Sequence, residues 1–202
     1  MTVQHELEER QKLLSGELVH RIKNTLAVAV GIARQTLRGV DPKRERDALT
    51  SRLIALSKAQ DILIQSSSAR ASIQMVIEGA LAPYRSGAGR IKISGPDLEL
   101  ESKQALSVAI AVHELATNAV KYGALSNDVG TVQICWGFVG GEFTLAWGES
   151  GGPRVQEPTT KGFGSRVIQN LLANDFGGSV VLSYETTGFV CRLATATENL
   201  TR

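Results

Sequence analysis

Cysteine is scarce in this chain: Cys135 and Cys191 are the only two among 202 residues. Two thiols so far apart exclude a disulfide framework, and each sits in a β-branched or aromatic run that reads as a strand, so both are expected to be reduced and buried. Histidine is scarce too. His5, His20 and His113 are scattered, and no His/Cys cluster has metal-site spacing. His113-Glu114-Leu115-Ala116-Thr117 opens like a zinc-protease helix, but threonine stands where the second histidine must be, which excludes that chemistry. Apolar runs such as Leu26–Val30 and Ala105–Val112 fall far short of the ~18 residues that a membrane-spanning helix requires. Charge of one sign is missing as well. The 22 basic and 20 acidic residues are interspersed and leave a net charge of +2, without the basic stripe that a nucleic-acid backbone demands. No GxxxxGK[ST] run and no GxGxxG after a strand occurs, which removes P-loop and Rossmann sites. The charged N-terminal residues have no apolar segment behind them. A soluble, cytoplasmic globular protein is left, and 43% hydrophobic residues suffice for its core.

What is present begins with a long helical pattern. Leu7, Leu14, Leu18, Ile22, Leu26, Ala29, Ala33 and Leu37 recur at steps of three, four and seven, which lays one apolar stripe along a helix over residues 2–38. Gly39 ends it. Asp41 and Pro42 suit the cap and first position of a second helix, whose stripe is Leu49, Leu53, Leu56 and Leu63. An antiparallel helical hairpin over residues 1–66 is expected. A pair of helices cannot hide both stripes, so the hairpin needs either a second copy, in a four-helix bundle, or the next domain as cover.

Ser66-Ser67-Ser68-Ala69-Arg70-Ala71 is small and polar and reads as a linker, which places a second domain over residues 72–202. There the pattern predicts a helix over 72–83, strands over 90–94 and 98–100, and a helix from Ser102 to Tyr122. Period two follows, with Thr131–Phe138 and Glu142–Trp147 flanking a turn at Val139-Gly140-Gly141. A glycine-rich loop over Gly148–Gly164, a helix over 165–174, and strands Ser179–Tyr184 and Gly188–Thr195 complete the chain. This order predicts an α+β fold, a mixed sheet covered on one face by helices.

Chemistry concentrates in three places. On the helix from Ser102, Glu114, Asn118 and Lys121 fall at i, i+4 and i+7, so a carboxylate, an amide oxygen and a cation share one face. Hard oxygen ligands and a cation suit Mg²⁺ and phosphate, although such a face is also ordinary on a solvated helix. Glu149-Ser150-Gly151-Gly152-Pro153 and Lys161-Gly162-Phe163-Gly164-Ser165 are two glycine clusters; the second runs into a helix whose free N–H groups favour an anion. Read singly, each is a plain turn. His20 stands roughly 200° around its helix from Leu18, so it faces away from the apolar stripe, with Asn24 one turn along. An exposed imidazole is nucleophilic and largely neutral at pH 7.

Taken together, His20-Arg21-Ile22-Lys23-Asn24, the run from His113 to Ser126, Trp147-Gly148-Glu149-Ser150-Gly151-Gly152-Pro153 and Gly162-Phe163-Gly164 resemble the motifs of the HWE group of bacterial sensor histidine kinases. Four motifs occur in order over about residues 10–195, with His113, Trp147 and Glu149 at the positions that name the group. The resemblance implies a dimerisation and phosphotransfer hairpin followed by a GHKL-type ATP-binding sandwich. By position, His20 would be the phosphoacceptor and Asn24 would orient its ring or bind the phosphoryl group. Asn118 would bind Mg²⁺, Glu114 would hold a metal-bound water or a polar contact beside it, and Lys121 would reach phosphate. Glu149 stands where related kinases hydrogen-bond the adenine amino group, Gly151 and Gly152 let the purine approach, and Gly162 and Gly164 would wrap the triphosphate. No role for His113 or Trp147 follows from it.

Two departures bear on mechanism. Many histidine kinases place an acid directly after the phosphoacceptor, where this chain has Arg21, which cannot take a proton. Only eight residues separate Pro153 from Gly162, a short lid. The expected function is ATP-dependent autophosphorylation of His20 and transfer of the phosphoryl group to an aspartate in a response-regulator receiver domain. A homodimer through the hairpin is expected, a monomer being the alternative, with sensory input from outside this chain. The competing readings are an ATP-independent histidine phosphotransfer protein on the same fold and a nucleotide-dependent binding module like an anti-sigma factor.

Overall fold

The computed structural model describes residues 70–85, 89–157 and 163–200, together with five helical positions, Ala29, Ala33, Leu49, Leu53 and Ile54. His20, Asn24, Gly162, and the hairpin apart from those five positions, lie outside the described residues. The chain divides into two compact units, Met1–Leu53 and Ile54–Arg202; the expected boundary around residues 66–69 also falls outside the described residues.

Strand β1 (Arg70–Ser72) leads into helix α1 (Ile73–Leu81), then come β2 (Ile91–Ser94), β3 (Glu99–Glu101) and helix α2 (Ser102–Lys121). Strands β4 (Thr131–Val139) and β5 (Glu142–Ser150), helix α3 (Phe163–Phe176), and strands β6 (Ser179–Glu185) and β7 (Gly188–Ala196) follow. Five strands form one sheet in the order β2-β4-β5-β7-β6, while β1 and β3 pair separately. The sheet is mixed as expected: β2 runs parallel to β4, a pairing that requires the crossover supplied by α2, and the other neighbours are antiparallel. The β4–β5 turn is Gly140-Gly141, with φ of +59° and +84°, the left-handed pair that a two-residue hairpin demands.

Alternation sorts the strands into two faces. Val132, Ile134 and Trp136 of β4, Phe143, Leu145 and Trp147 of β5, and Cys191 and Leu193 of β7 are buried. Cross-strand pairing aligns Ile134, Trp147 and Cys191 in one row and Trp136, Leu145 and Leu193 in the next. Phe143 stacks on Phe176 of α3 with ring centroids 6.1 Å apart; burying a side chain of that size contributes roughly 1.5–3 kcal/mol.

Three sequence expectations need correction. Arg70 and Ala71 belong to β1, paired with Glu101 and Leu100, not to a linker; three residues are too few to show period two. Cys135 is exposed, because the burial of Ile134 and Trp136 puts the intervening residue on the opposite face. Helix α2 is buried all round between Gln104 and Ala116, the signature of a helix enclosed by neighbours; Glu114 is among those buried residues, so it does not share an exposed face with Asn118 and Lys121.

Candidate nucleotide site at the C-terminal end of α2

Helix α2 begins with Gln104 reaching back to accept the Glu101 N–H at 3.3 Å, half of a capping box, and it runs unbroken through the sequence from His113 to Lys121. Along its axis Glu114 and Lys121 are about 10 Å apart. Glu114 is 5% exposed, whereas Asn118 and Lys121 are open to solvent. The N-terminal turn of α3 closes against the first two of these. A Cβ on Gly164 would stand 2.9 Å from Glu114 Oε2 and 3.6 Å from Asn118 Nδ2, so the absence of a side chain there is what lets α3 approach. A buried carboxylate, an exposed amide and the N–H groups of a 14-residue helix converge. Oxygen and amide ligands beside a helix N-terminus fit a divalent ion shared with phosphate.

A second cluster forms just beyond the helix. Tyr122 and Gly123 donate their N–H groups to the Asn118 carbonyl at 2.8 and 3.1 Å, which turns the chain into a short 3-10 segment, Ala124–Ser126. There the Ala124 N–H donates to Glu149 Oε2 at 2.8 Å, and the Trp147 indole N–H donates to Glu149 Oε1 at 3.0 Å. Glu149 is nearly buried, at 9% exposure. Burial raises its pKa above the ordinary carboxylate value, while the bonds from Ala124 and Trp147 pull it back down. A Cβ on Gly123 would overlap Glu149 Oε2, and one on Gly152 would come within 2.7 Å of the Ala124 Cα. Gly151, at φ +71°, packs on Gly130, with a virtual Cβ 3.3 Å from its Cα. Gly151 and Gly152 thus also serve contacts within the protein: they let the strand end and the turn after α2 press together. Asn127 ties the same two segments, donating to the Gly151 carbonyl at 2.9 Å and accepting from the Gly130 N–H at 2.8 Å.

His113 sits behind the first cluster, 6% exposed. The Tyr84 hydroxyl lies 3.1 Å from His113 Nδ1 and 2.7 Å from Thr117 Oγ1. A consistent proton assignment has Thr117 donating to Tyr84 and Tyr84 to a neutral imidazole. Burial pushes the Tyr84 phenol up, the bond to Thr117 opposes this, and the nearby Glu114 charge adds to it.

Residues 17–97 match the family model for HWE histidine kinase, and the chain is 39% identical over 196 residues to the blue-light-activated histidine kinases of Brucella ovis and Brucella abortus. Over residues 17–97 the chain is an HWE histidine kinase domain. The alignment covers 94% of this chain but only 40% of each relative, so the chain spans about two fifths of their length. In fold, the chain is similar to the histidine kinase domain of the blue-light activated histidine kinase from Erythrobacter litoralis EL346, with a TM-score of 0.66 at 22% identity over 92% of this chain and 94% of that one. It also resembles the histidine kinase ThkA in complex with the response regulator protein TrrA, with a TM-score of 0.50 at 16% identity, covering this whole chain and 69% of that one. These likenesses support the α+β sandwich.

The partners of Glu149 were only partly legible in the sequence. Trp147 and Glu149 are two apart on β5, a spacing that puts both on one face of a strand, so their proximity was readable. The Ala124 N–H was not, because it depends on how tightly the turn after α2 closes. Tyr84 gave no local signal either, since its partners lie 29 and 33 residues away.

Proposed function

We propose that the chain is the phosphoryl-transfer core of an ATP-dependent protein histidine kinase, autophosphorylating on His20 and serving a two-component pathway. The observation that supports it most is the contact of Gly164 with Glu114 and Asn118, which brings the N-terminus of α3 to a carboxylate and an amide of α2, while the Glu149 cluster stands just beyond the C-terminal end of α2. In this reading the purine lies at Glu149, its amino group donating to the carboxylate, and the triphosphate runs toward Asn118, Lys121, Gly162 and Gly164. Asn118 would hold Mg²⁺, with Glu114 placed to accept from a metal-bound water. A bound Mg²⁺ would supply neutralisation of phosphate charge.

The protein's own part is mainly positioning. A neutral His20 nitrogen attacks the γ-phosphorus, an N–P bond forms as the bond to the β,γ-bridging oxygen breaks, ADP leaves and the ring sheds its proton to solvent or a carboxylate. Asn24 orients the ring. The phosphoryl group then moves to a carboxylate oxygen of a receiver-domain aspartate, breaking the N–P bond and restoring the imidazole. Residues 1–66 form the phosphotransfer hairpin, which dimerises, and residues 72–202 the ATP-binding domain; the sensory input comes from a partner or a segment outside this sequence. Incubation with γ-labelled ATP tests the reading. Acid-labile, base-stable label is expected on the wild-type chain, none on His20→Ala, and strongly reduced labelling on Asn118→Asp. Label persisting in His20→Ala overturns the site assignment, and absence of ATP binding in calorimetry overturns the kinase in favour of a phosphotransfer protein.

A further inference from the structure

We infer that Trp147 is a positioning residue for nucleotide recognition, its indole N–H and the Ala124 backbone N–H together fixing the Glu149 carboxylate as an acceptor for the 6-amino group of adenine. The inference rests on the reading that Glu149 meets the purine. Trp147 donates to Oε1 at 3.0 Å and Ala124 to Oε2 at 2.8 Å, so each oxygen is held by a donor from a different element. Rotation of the carboxylate about its last bond breaks both bonds. An ionised carboxylate offers about four lone-pair positions; two are used inside the protein, and the orientation of the other two is thereby set.

The surroundings favour this arrangement. Trp147 is 2% exposed and sits in register between Ile134 and Cys191 on the buried face of the sheet, so its indole N–H is held away from solvent and finds its acceptor in Oε1. Gly123 permits the carboxylate to sit against the turn, since any Cβ there would overlap Oε2. The Glu149 main chain is pinned as well, because Gly188 of β7 packs directly on its carbonyl. A buried indole N–H requires an acceptor, and the acceptor it meets here is the one buried carboxylate of β5. Each carboxylate oxygen already accepts an N–H from within the protein, and the lone pairs left over present an acceptor, which selects a purine with an amino group at position 6 over one with a carbonyl there.

Calorimetry with ATP and inosine triphosphate on the full chain tests this. Wild-type protein is expected to prefer ATP, and Trp147→Phe, which removes the donor and keeps most of the ring, to lose about tenfold of that preference, the scale of one charge-assisted hydrogen bond. Gly123→Ala displaces the carboxylate from the opposite side and leaves the Trp147 ring in place, and is expected to reduce the same preference; it serves if Trp147→Phe fails to fold. Equal weakening of both nucleotides in Trp147→Phe, or an unchanged preference in both variants, overturns the inference. Glu149→Gln separates the two levels. If it too loses the preference while Trp147→Phe and Gly123→Ala keep it, the purine reading stands and the role of Trp147 falls; if it keeps the preference, the purine contact itself is wrong.

Discussion

At Glu149 the protein keeps a carboxylate where burial opposes its charge. Its folded pKa is raised above the ordinary value of 4.5, so the folded state binds its proton more tightly than the unfolded state does. The resulting contribution to stability is therefore full in acid, below the unfolded value, and is lost as pH rises through the raised one. Glu149→Gln has no such titration. The melting-temperature advantage of wild type over Glu149→Gln is expected to shrink as pH rises from below 4.5 through the raised folded value, and an advantage that grows with pH would show that the two donors outweigh burial. Gly164 poses a different case. Its virtual Cβ meets the end of a flexible side chain, Glu114 Oε2 at 2.9 Å, so Gly164→Ala is expected to cost less than about 1 kcal/mol of stability yet to depress autophosphorylation by displacing Glu114. Urea unfolding alongside label incorporation reads both. The sequence made Glu114, Asn118, Glu149 and Gly164 conspicuous through motif spacing, but it could not show that Glu114 is buried and Asn118 exposed, since that depends on where α3 packs.

Among the elements, α2 is the one on which both clusters are mounted, and one polar cluster ties it to α3 beside their apolar contact. Asp175 of α3 accepts from the Ser107 hydroxyl and from Lys103 Nζ, the latter at 3.0 Å. Ser107 is buried at 2% exposure, and its hydroxyl can turn to the Lys103 carbonyl, 3.1 Å away. Asp175→Ala is accordingly expected to destabilise by about 1 kcal/mol in urea titrations, and Lys103→Ala by less because the lysine is largely exposed. The strand the sequence concealed has its own consequence. A chain shortened to begin at residue 73 lacks β1 and leaves β3, directly before α2, without its antiparallel partner, whereas one beginning at residue 67 keeps it. The longer form is expected to melt higher, and equal melting temperatures would show that β1 contributes nothing. Long periodic elements such as α2 and the β4–β5 hairpin were readable because they repeat a spacing several times; β1 and the three-residue turn at Ala124 were not, because they are defined by what they touch.

Over the whole molecule, the order of elements and the glycine turn between β4 and β5 sufficed to foresee a mixed sheet with helices, whereas the side of the sheet each strand residue takes required the register. Should a second copy cover the stripes of the hairpin expected over residues 1–66, light scattering gives a mass of two chains; a mass of one chain leaves the next domain as the cover. Cysteine shows what the register decides. Cys135 faces outward and Cys191 is buried, its thiol pushed up to about 12 by desolvation, so only one of the two can react with a thiol reagent while the sheet is intact. The second becomes available only when β7 separates from its neighbours. One equivalent of an aromatic disulfide reagent is expected to react promptly with the native chain and a second at the rate of sheet opening. The chain therefore contains its own clock for that opening, readable by absorbance without a label or a mutation, and slowed by any ligand that binds only the closed sheet.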